Sequence, residues 1–402
     1  MRRIAIVGAG HRCYMNFAYE IAKNYSDFHK IVAVCDVNIG RCEFFSDKLD
    51  KEIKVYTDFD KMLSEQKPDA VIVTTPDCYH HEYVIRALDF GCDVYSEKPL
   101  TIDAEKCLAI REAEKRNGKR VTVTFNCRFM PYFARLKEII SSGEIGRPLA
   151  VNYEYVLNTV HGGDYFKRWH RFMKNSGGMM IHKATHHFDI VNWLLMDDPI
   201  SVSAHGGRLY FGNEEKSYAD RCKDCDKKDS CTAYGDPPAT LEFYNDLYFK
   251  NEKYDGYIRD HCAFKADTDI YDSMSVSVAY KGGAILTYSL NLFNVREGFT
   301  MNIIGENGRI EFSTFAADED NVIRFRDGST KPIKFGSTKG GHAGGDGRML
   351  DMLFGNLSDD PLGQKADSLD GIKSILIGDA ANRSIKNNGE KINLTKIWEK
   401  MP

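Results

Sequence analysis

The sequence predicts an α/β chain in two parts: a doubly wound parallel sheet over residues 1–125 and, over 126–402, an α/β domain on a mainly antiparallel open sheet. Three observations carry this expectation. Short apolar runs alternate with helical periodicity through the first third, as βαβ units do. A Gly8-Ala9-Gly10 turn joins the first run to the first helix. From Val151 onward, apolar Val151, Tyr153 and Tyr155 alternate with Asn152 and Glu154, the period of a sheet covered on one face.

With 402 residues, 43% hydrophobic and 28% charged, the chain has ordinary globular composition and room for two domains. Its 54 basic and 58 acidic residues leave a net charge of -4, without the basic excess that drives phosphate-backbone binding, so nucleic acid is not an expected partner. The apolar run at residues 4–7 is too short for a signal peptide or membrane span, so a cytoplasmic protein is expected. Eleven cysteines then read as reduced thiols or metal ligands rather than a disulfide framework.

Residues 4–7 form a buried strand, and Phe17, Ala18, Ile21, Ala22 and Tyr25 recur at helical spacing after it. Between them Gly8 permits a tight turn, and Gly10, His11 and Arg12 bring backbone amides to a pyrophosphate at the positive end of the helix. Cys13 stands where a dinucleotide turn has its third glycine. The next strand, 31–35, ends in Asp36, whose carboxylate can accept both ribose hydroxyls and repel a 2′-phosphate. NAD rather than NADP is therefore expected, with nearby Arg41 as a counterweight and a loop-starting cap as the plainer role for Asp36.

Strands follow at 70–74, 93–96 and 121–124, with helices at 83–90 and 103–117. Thr75, Pro76, Asp77, His80 and His81 lie past one strand end, on the rim expected to line the nicotinamide; His81 reads rather as a helix-start residue. Lys98, between Glu97 and Pro99, ends another strand on that rim, where ligands of open α/β sheets bind. It reads either as an ammonium tuned by burial and Glu97 or as a solvated lysine at a strand end.

In the second part a helix is expected near 132–140, strands at 151–157, 274–280 and 284–290, and hairpins at Asn307-Gly308 and Asp327-Gly328. On one helix His182, His186 and Asp189 are spaced four and three apart and share a face, with Phe188, Val191 and Leu195 on another. Two imidazoles and a carboxylate suit proton transfer near neutral pH. They also have metal-ligand spacing, though no glutamate follows His182 as in a metalloprotease. Residues 211–266 lose periodicity and read as an insertion. Cys222, Cys225 and Cys231 lie there, with Cys262 or His261 as a fourth ligand, so the expectation is structural zinc or buried free thiols, an iron–sulfur centre ranking behind.

Together these residues resemble the Gfo/Idh/MocA oxidoreductases: Gly8-x-Gly10 with Asp36, Thr75-Pro76 with His80, Glu97-Lys98-Pro99, Asn126-Cys127-Arg128-Phe129, the Gly177-Gly178 helix and Gly344-Gly345-Asp346 follow in that family's order. The resemblance implies a Rossmann domain, a second α/β domain, and a homo-oligomer, dimer or tetramer, formed through its sheet. It implies hydride transfer between NAD and a hydroxyl of a sugar, cyclitol or derivative, with a cis bond before Pro99. Glu97 joins the cofactor set, and Lys98 and His186 match the family's proton-handling lysine and histidine. His182 stands where the family has an aspartate, so it shares or exchanges roles with His186, while Asp189 becomes the candidate orienting carboxylate. Arg128, His182, His186 and Asp189, with Tyr153 or His342, are the expected substrate contacts. Two other functions fit the same fold: an NAD-recycling glycosidase that oxidises, eliminates and reduces, and a sugar-sensing regulator that binds NAD without turnover.

Overall fold

The computed structural model describes residues 1–235, 238–357 and 359–399. Six parallel strands build the first layer: β1 (Arg2–Val7), β2 (His29–Cys35), β3 (Lys54–Tyr56), β4 (Ala70–Val73), β5 (Asp93–Ser96) and β6 (Val121–Val123). Their spatial order, β6-β5-β4-β1-β2-β3, reverses direction between β1 and β4, opening a crevice at the carboxyl ends of those strands. Helices flank the sheet, so Ile4, Ala5, Ile6 and Val7 are all buried, which explains a continuous apolar run rather than an alternating one.

The second sheet contains β7 (Pro148–Asn158), β8 (Pro199–Gly207), β9 (Ser273–Tyr280), β10 (Ile285–Asn294), β11 (Gly298–Gly305), β12 (Gly308–Ser313), β13 (Val322–Phe325) and β14 (Thr330–Pro332). Its pairs are antiparallel except β7 with β10. Both expected hairpins are present, β11 to β12 and β13 to β14, with Gly328 at φ 86°. Helices Ala184–Leu195 and Ser368–Lys386 pack together on the β8 side, while Asn152, Glu154, Ser275, Ser277 and Thr287 expose the other face.

The end of the chain serves both layers. β15 (Ala366–Asp367) pairs antiparallel with β6 in the first sheet, and β16 (Ile392–Asn393) pairs with β8 in the second. Helix Gly345–Phe354 buries Met349, Leu350 and Phe354 in one cluster with Ile4, Ile6 and Val34. The chain thus crosses back to the first layer near its end, and those apolar residues complete the core of that layer. The insertion reaches that layer too: it contains helix Pro238–Leu247, and Leu247 is buried in that same first-layer cluster. Among the described residues no helix is long and apolar enough to cross a membrane.

Candidate active site

A cavity of about 270 Å³ runs from the first glycine turn, past Lys98, to the helices beneath the second sheet. Gly8 at φ +96° makes the turn after β1, and a Cβ there would lie 2.5 Å from the Thr74 carbonyl carbon, so only glycine fits. A continuous helical stretch then starts at His11, with a π-helical turn at Tyr14–Ala18. Cys13 is fully buried, so the thiol is accommodated at the third-glycine position. Gly10, His11 and Arg12 line the cavity. Asp36, just past β2, accepts from the Ala9 amide at 2.7 Å, the Asn38 amide at 2.8 Å and Arg41 Nη2 at 2.7 Å.

The insertion closes over this turn. Tyr248 Oη accepts from the His11 amide at 2.7 Å, and Phe243 lies edge-on to His11 with ring centroids 5.3 Å apart. Asn38 Nδ2 donates to Asp255 Oδ1 at 2.9 Å, and Arg41 Nη2 reaches Asp255 Oδ2 at 2.6 Å. The cradle has the parts of a dinucleotide site: a glycine turn, a helix start and a carboxylate past the second strand. Gly10, His11, Thr75 and Asp36 are the residues that could hold one, with the Tyr248 hydroxyl on one of the amides.

Lys98 sits at the carboxyl end of β5, and its bond to Pro99 is cis. Its Nζ donates to the His182 carbonyl at 3.2 Å. Burial lowers its proton affinity, while Glu97 and Asp77 raise it. Glu97 is buried and accepts from Arg12 Nε at 2.8 Å and from the Lys98 amide at 3.0 Å. His80 is committed to the same turn, its ring nitrogens 2.7 Å from the Pro99 carbonyl and 2.8 Å from that of Thr75. It braces the loop, as Pro76 does by opening the short helical turn Asp77–Tyr79. Thr75 lines the cavity, and its buried Oγ1 has no partner among the described residues.

The expected single helix face divides. Met179–His182 forms one helical turn, Lys183 interrupts it at φ -97°, and Ala184–Leu195 follows. His182 and His186 both line the cavity. His186 is buried, its Nδ1 unpartnered among the described residues, and burial with Lys98 and Lys183 lowers its proton affinity. Asp189 faces elsewhere: it takes a two-point bond from Arg128, at 2.6 and 2.8 Å, with both residues almost wholly buried. Arg128 also bonds the Gly363 carbonyl and Asp370. Neither Arg128 nor Asp189 lines the cavity, which corrects both as substrate contacts: their charges satisfy each other inside the protein. His342 and Tyr153 do line it, though His342 is held at 2.6 Å by Asp346.

The cysteine expectation is corrected too. Cys222, Cys225, Cys231 and Cys262 line one small cavity, yet no three His, Cys, Asp or Glu among the described residues are grouped to hold a metal ion, so structural zinc is not supported. All four are free thiols, and Cys222, its pKa pushed by burial to about 12, donates to the His261 carbonyl. Charge staples the insertion instead: Arg221 bonds Asp260 at 2.8 Å and Glu252 at 2.9 Å.

Several site residues escaped the sequence reading. Asp77, placed there only on the rim, bonds His182 Nδ1 at 2.6 Å. Lys183 brings a second ammonium into the cavity, 5.1 Å above the Tyr155 ring. Tyr165, Arg168, Trp169 and His170 line the far wall, and the run Arg168-Trp169-His170-Arg171 is itself a dense patch of polar and aromatic side chains that could have drawn notice.

The glycine turn, the parallel sheet and the titratable groups beside them are those of a dinucleotide-binding α/β protein, and the comparisons give its family. Residues 2–125 match the model of the oxidoreductase family with an NAD-binding Rossmann fold, and 137–394 match its C-terminal alpha/beta domain. The chain belongs to the Gfo/Idh/MocA oxidoreductase family. It is 32% identical, over 96% of both chains, to YteT of Bacillus subtilis, which its name classes with the oxidoreductases. It is 33% identical to inositol 2-dehydrogenase of Salmonella typhimurium over 44% of this chain and 50% of that one. A crystal structure of the WlbA dehydrogenase of Chromobacterium violaceum, in complex with NADH and UDP-GlcNAcA, shares the fold with a TM-score of 0.69 at 18% identity, covering 98% and 96% of the two chains.

Proposed function

We propose that this protein is an NAD-dependent dehydrogenase acting on a hydroxyl of a sugar, cyclitol or sugar derivative. One observation carries the reading: the Lys98 ammonium and the imidazoles of His182 and His186 converge on the cavity that begins at the Gly10–His11 turn. Dehydrogenation of a carbinol needs a hydride acceptor beside a group that takes the hydroxyl proton. A bound nicotinamide supplies the first. Lys98 holds the substrate oxygen and lowers the cost of its developing negative charge, while an imidazole accepts the proton. Neutral imidazoles suit that task, since only an unprotonated nitrogen can receive it. Lys183 and Tyr155 line the same cavity and would grip neighbouring hydroxyls. The similarity to inositol 2-dehydrogenases supports a polyol substrate, and the cyclitol and UDP-sugar named among relatives and neighbours set the range to test.

The experiment is a panel of cyclitols, hexoses, uronates, nucleotide sugars and glycosides incubated with protein and NAD, followed by absorbance of the reduced cofactor. NADH formation with a free polyol or sugar is expected. Glycoside cleavage without net NADH would identify a recycling glycosidase. Binding of NAD and a sugar with no redox change across the panel would leave a sensing protein.

A further inference from the structure

We infer that Asp77 is the positioning residue of His182, so that an aspartate–histidine pair built across the two layers replaces the single aspartate of the family pattern. The inference rests on the dehydrogenase reading and assigns its proton acceptor. Asp77 opens the short turn after β4, and His182 closes the Met179–His182 turn beneath the second sheet. Both are buried, and Asp77 Oδ2 lies 2.6 Å from His182 Nδ1. Aromatic neighbours fix the ring: His170 at a centroid separation of 4.2 Å, Tyr165 at 5.4 Å and Trp169 at 5.7 Å. Among the described residues nothing bonds Nε2, while His182 lines the cavity beside Lys98.

A carboxylate only accepts, so Nδ1 carries the proton of this contact and the neutral ring presents Nε2 as its acceptor. Burial pushes the Asp77 carboxyl up and the His182 imidazole down, with Lys98, His170, Arg168 and Lys183 adding to the second effect. The Lys98 ammonium opposes the first effect and favours the Asp77 carboxylate. As a pair they can take one proton, because the imidazolium formed is neutralised by the carboxylate behind it. In the step so defined the substrate O–H bond breaks and an Nε2–H bond forms, while the carbinol C–H pair leaves as hydride to an oxidised nicotinamide. The negative charge that the family pattern places at position 182 is thus kept but moved to the cofactor-binding side, and its base is assembled only when the two layers are docked.

Asp77→Asn is the test, read first by the imidazole nitrogen chemical shifts of histidine-labelled protein, with His182→Gln assigning the signal. Loss of the carboxylate should move the His182 signals, and this arm needs no substrate. With a substrate in hand, Asp77→Asn should cut kcat by about 10²-fold or more and displace the acidic limb of the pH profile, with KM and NAD affinity little changed. The groups that also face His182, namely Lys98, His170, Arg168 and Lys183, remain in place. The double change Asp77→Asn with His182→Asp, which restores the family's carboxylate, should recover part of the lost kcat. Should Asp77→Asn melt early, His182→Gln keeps a donor toward Asp77 and must still lose turnover. Unmoved His182 signals, or a wild-type kcat and pH profile in Asp77→Asn, overturn the inference. A panel that gives no NADH with the wild type overturns the dehydrogenase reading instead and leaves the spectroscopic arm to judge the pair.

Discussion

The hydroxyl of Tyr248 accepts the backbone amide of His11 at 2.7 Å, although the two residues are 237 positions apart. That amide opens the first helix, where a pyrophosphate oxygen is expected, so the insertion lies across the nucleotide cradle rather than beside it. A dinucleotide seated there must take the amide from the tyrosine. Because one net hydrogen bond contributes about 0.5–1.5 kcal/mol, Tyr248→Phe should tighten NAD binding by roughly threefold to tenfold. Titration of NADH fluorescence measures it; weaker binding in the variant would show that the hydroxyl serves the cofactor instead of competing with it.

Cofactor choice depends on Arg41. Its guanidinium is shared between Asp36 at 2.7 Å and Asp255 at 2.6 Å, so it is not free for a 2′-phosphate, which would also meet two carboxylates. NAD should bind at least about tenfold tighter than NADP, a difference of about 1.4 kcal/mol. Asp255→Asn should narrow the ratio by loosening Arg41, and Asp36→Ala should narrow it further. Equal dissociation constants for the two cofactors in the unaltered protein would remove Asp36 from this role.

Arg128 and Asp189 make a stability prediction. Removing one partner of a buried two-point ion pair costs up to about 3–5 kcal/mol, less here because Asp370 still faces Arg128. Asp189→Asn should therefore lower the denaturation midpoint, while Arg128→Met with Asp189→Leu should recover much of the loss. Chemical denaturation of the three proteins checks this. A single variant as stable as the unaltered protein would mean that the cavity, not the core, is where Asp189 belongs.

The first layer was legible because its rules are local: a buried parallel strand reads as an apolar run, and Gly8 and Asp36 mark the turn and the strand end by chemistry alone. Lys98, His182 and His186 stood out for the same reason and all reach the cavity. What the sequence hid was pairing over distance. Spacing put Asp189 on a face with His186, but Arg128, 61 residues earlier, claims it, and Asp77, 105 residues from His182, supplies the carboxylate instead. Likewise the cysteines drew attention in the insertion, whereas its aromatic residues Phe243 and Tyr248 make the contacts with the cradle, and no local period announces those.

The lysine itself remains the sharpest test of the site. Lys98 is held in register by Glu97 on one side and by the His182 carbonyl on the other, and burial makes its ammonium easier to deprotonate than a solvated lysine. If it holds the substrate oxygen as the proton departs, Lys98→Met should leave NAD affinity within about threefold and lower single-turnover hydride transfer by about 10²–10⁴-fold, the scale of a positioned acid–base group. His186→Ala should lower it less if His182 is the acceptor, and equally if the two imidazoles act as one relay. NAD affinity and the melting temperature are measured alongside, because Lys98 also ties the first layer to the Met179–His182 turn and its loss can loosen that contact. A wild-type rate of hydride transfer in Lys98→Met, with cofactor affinity and melting unchanged, would show that the ammonium only joins the layers and that the imidazoles carry the proton unaided.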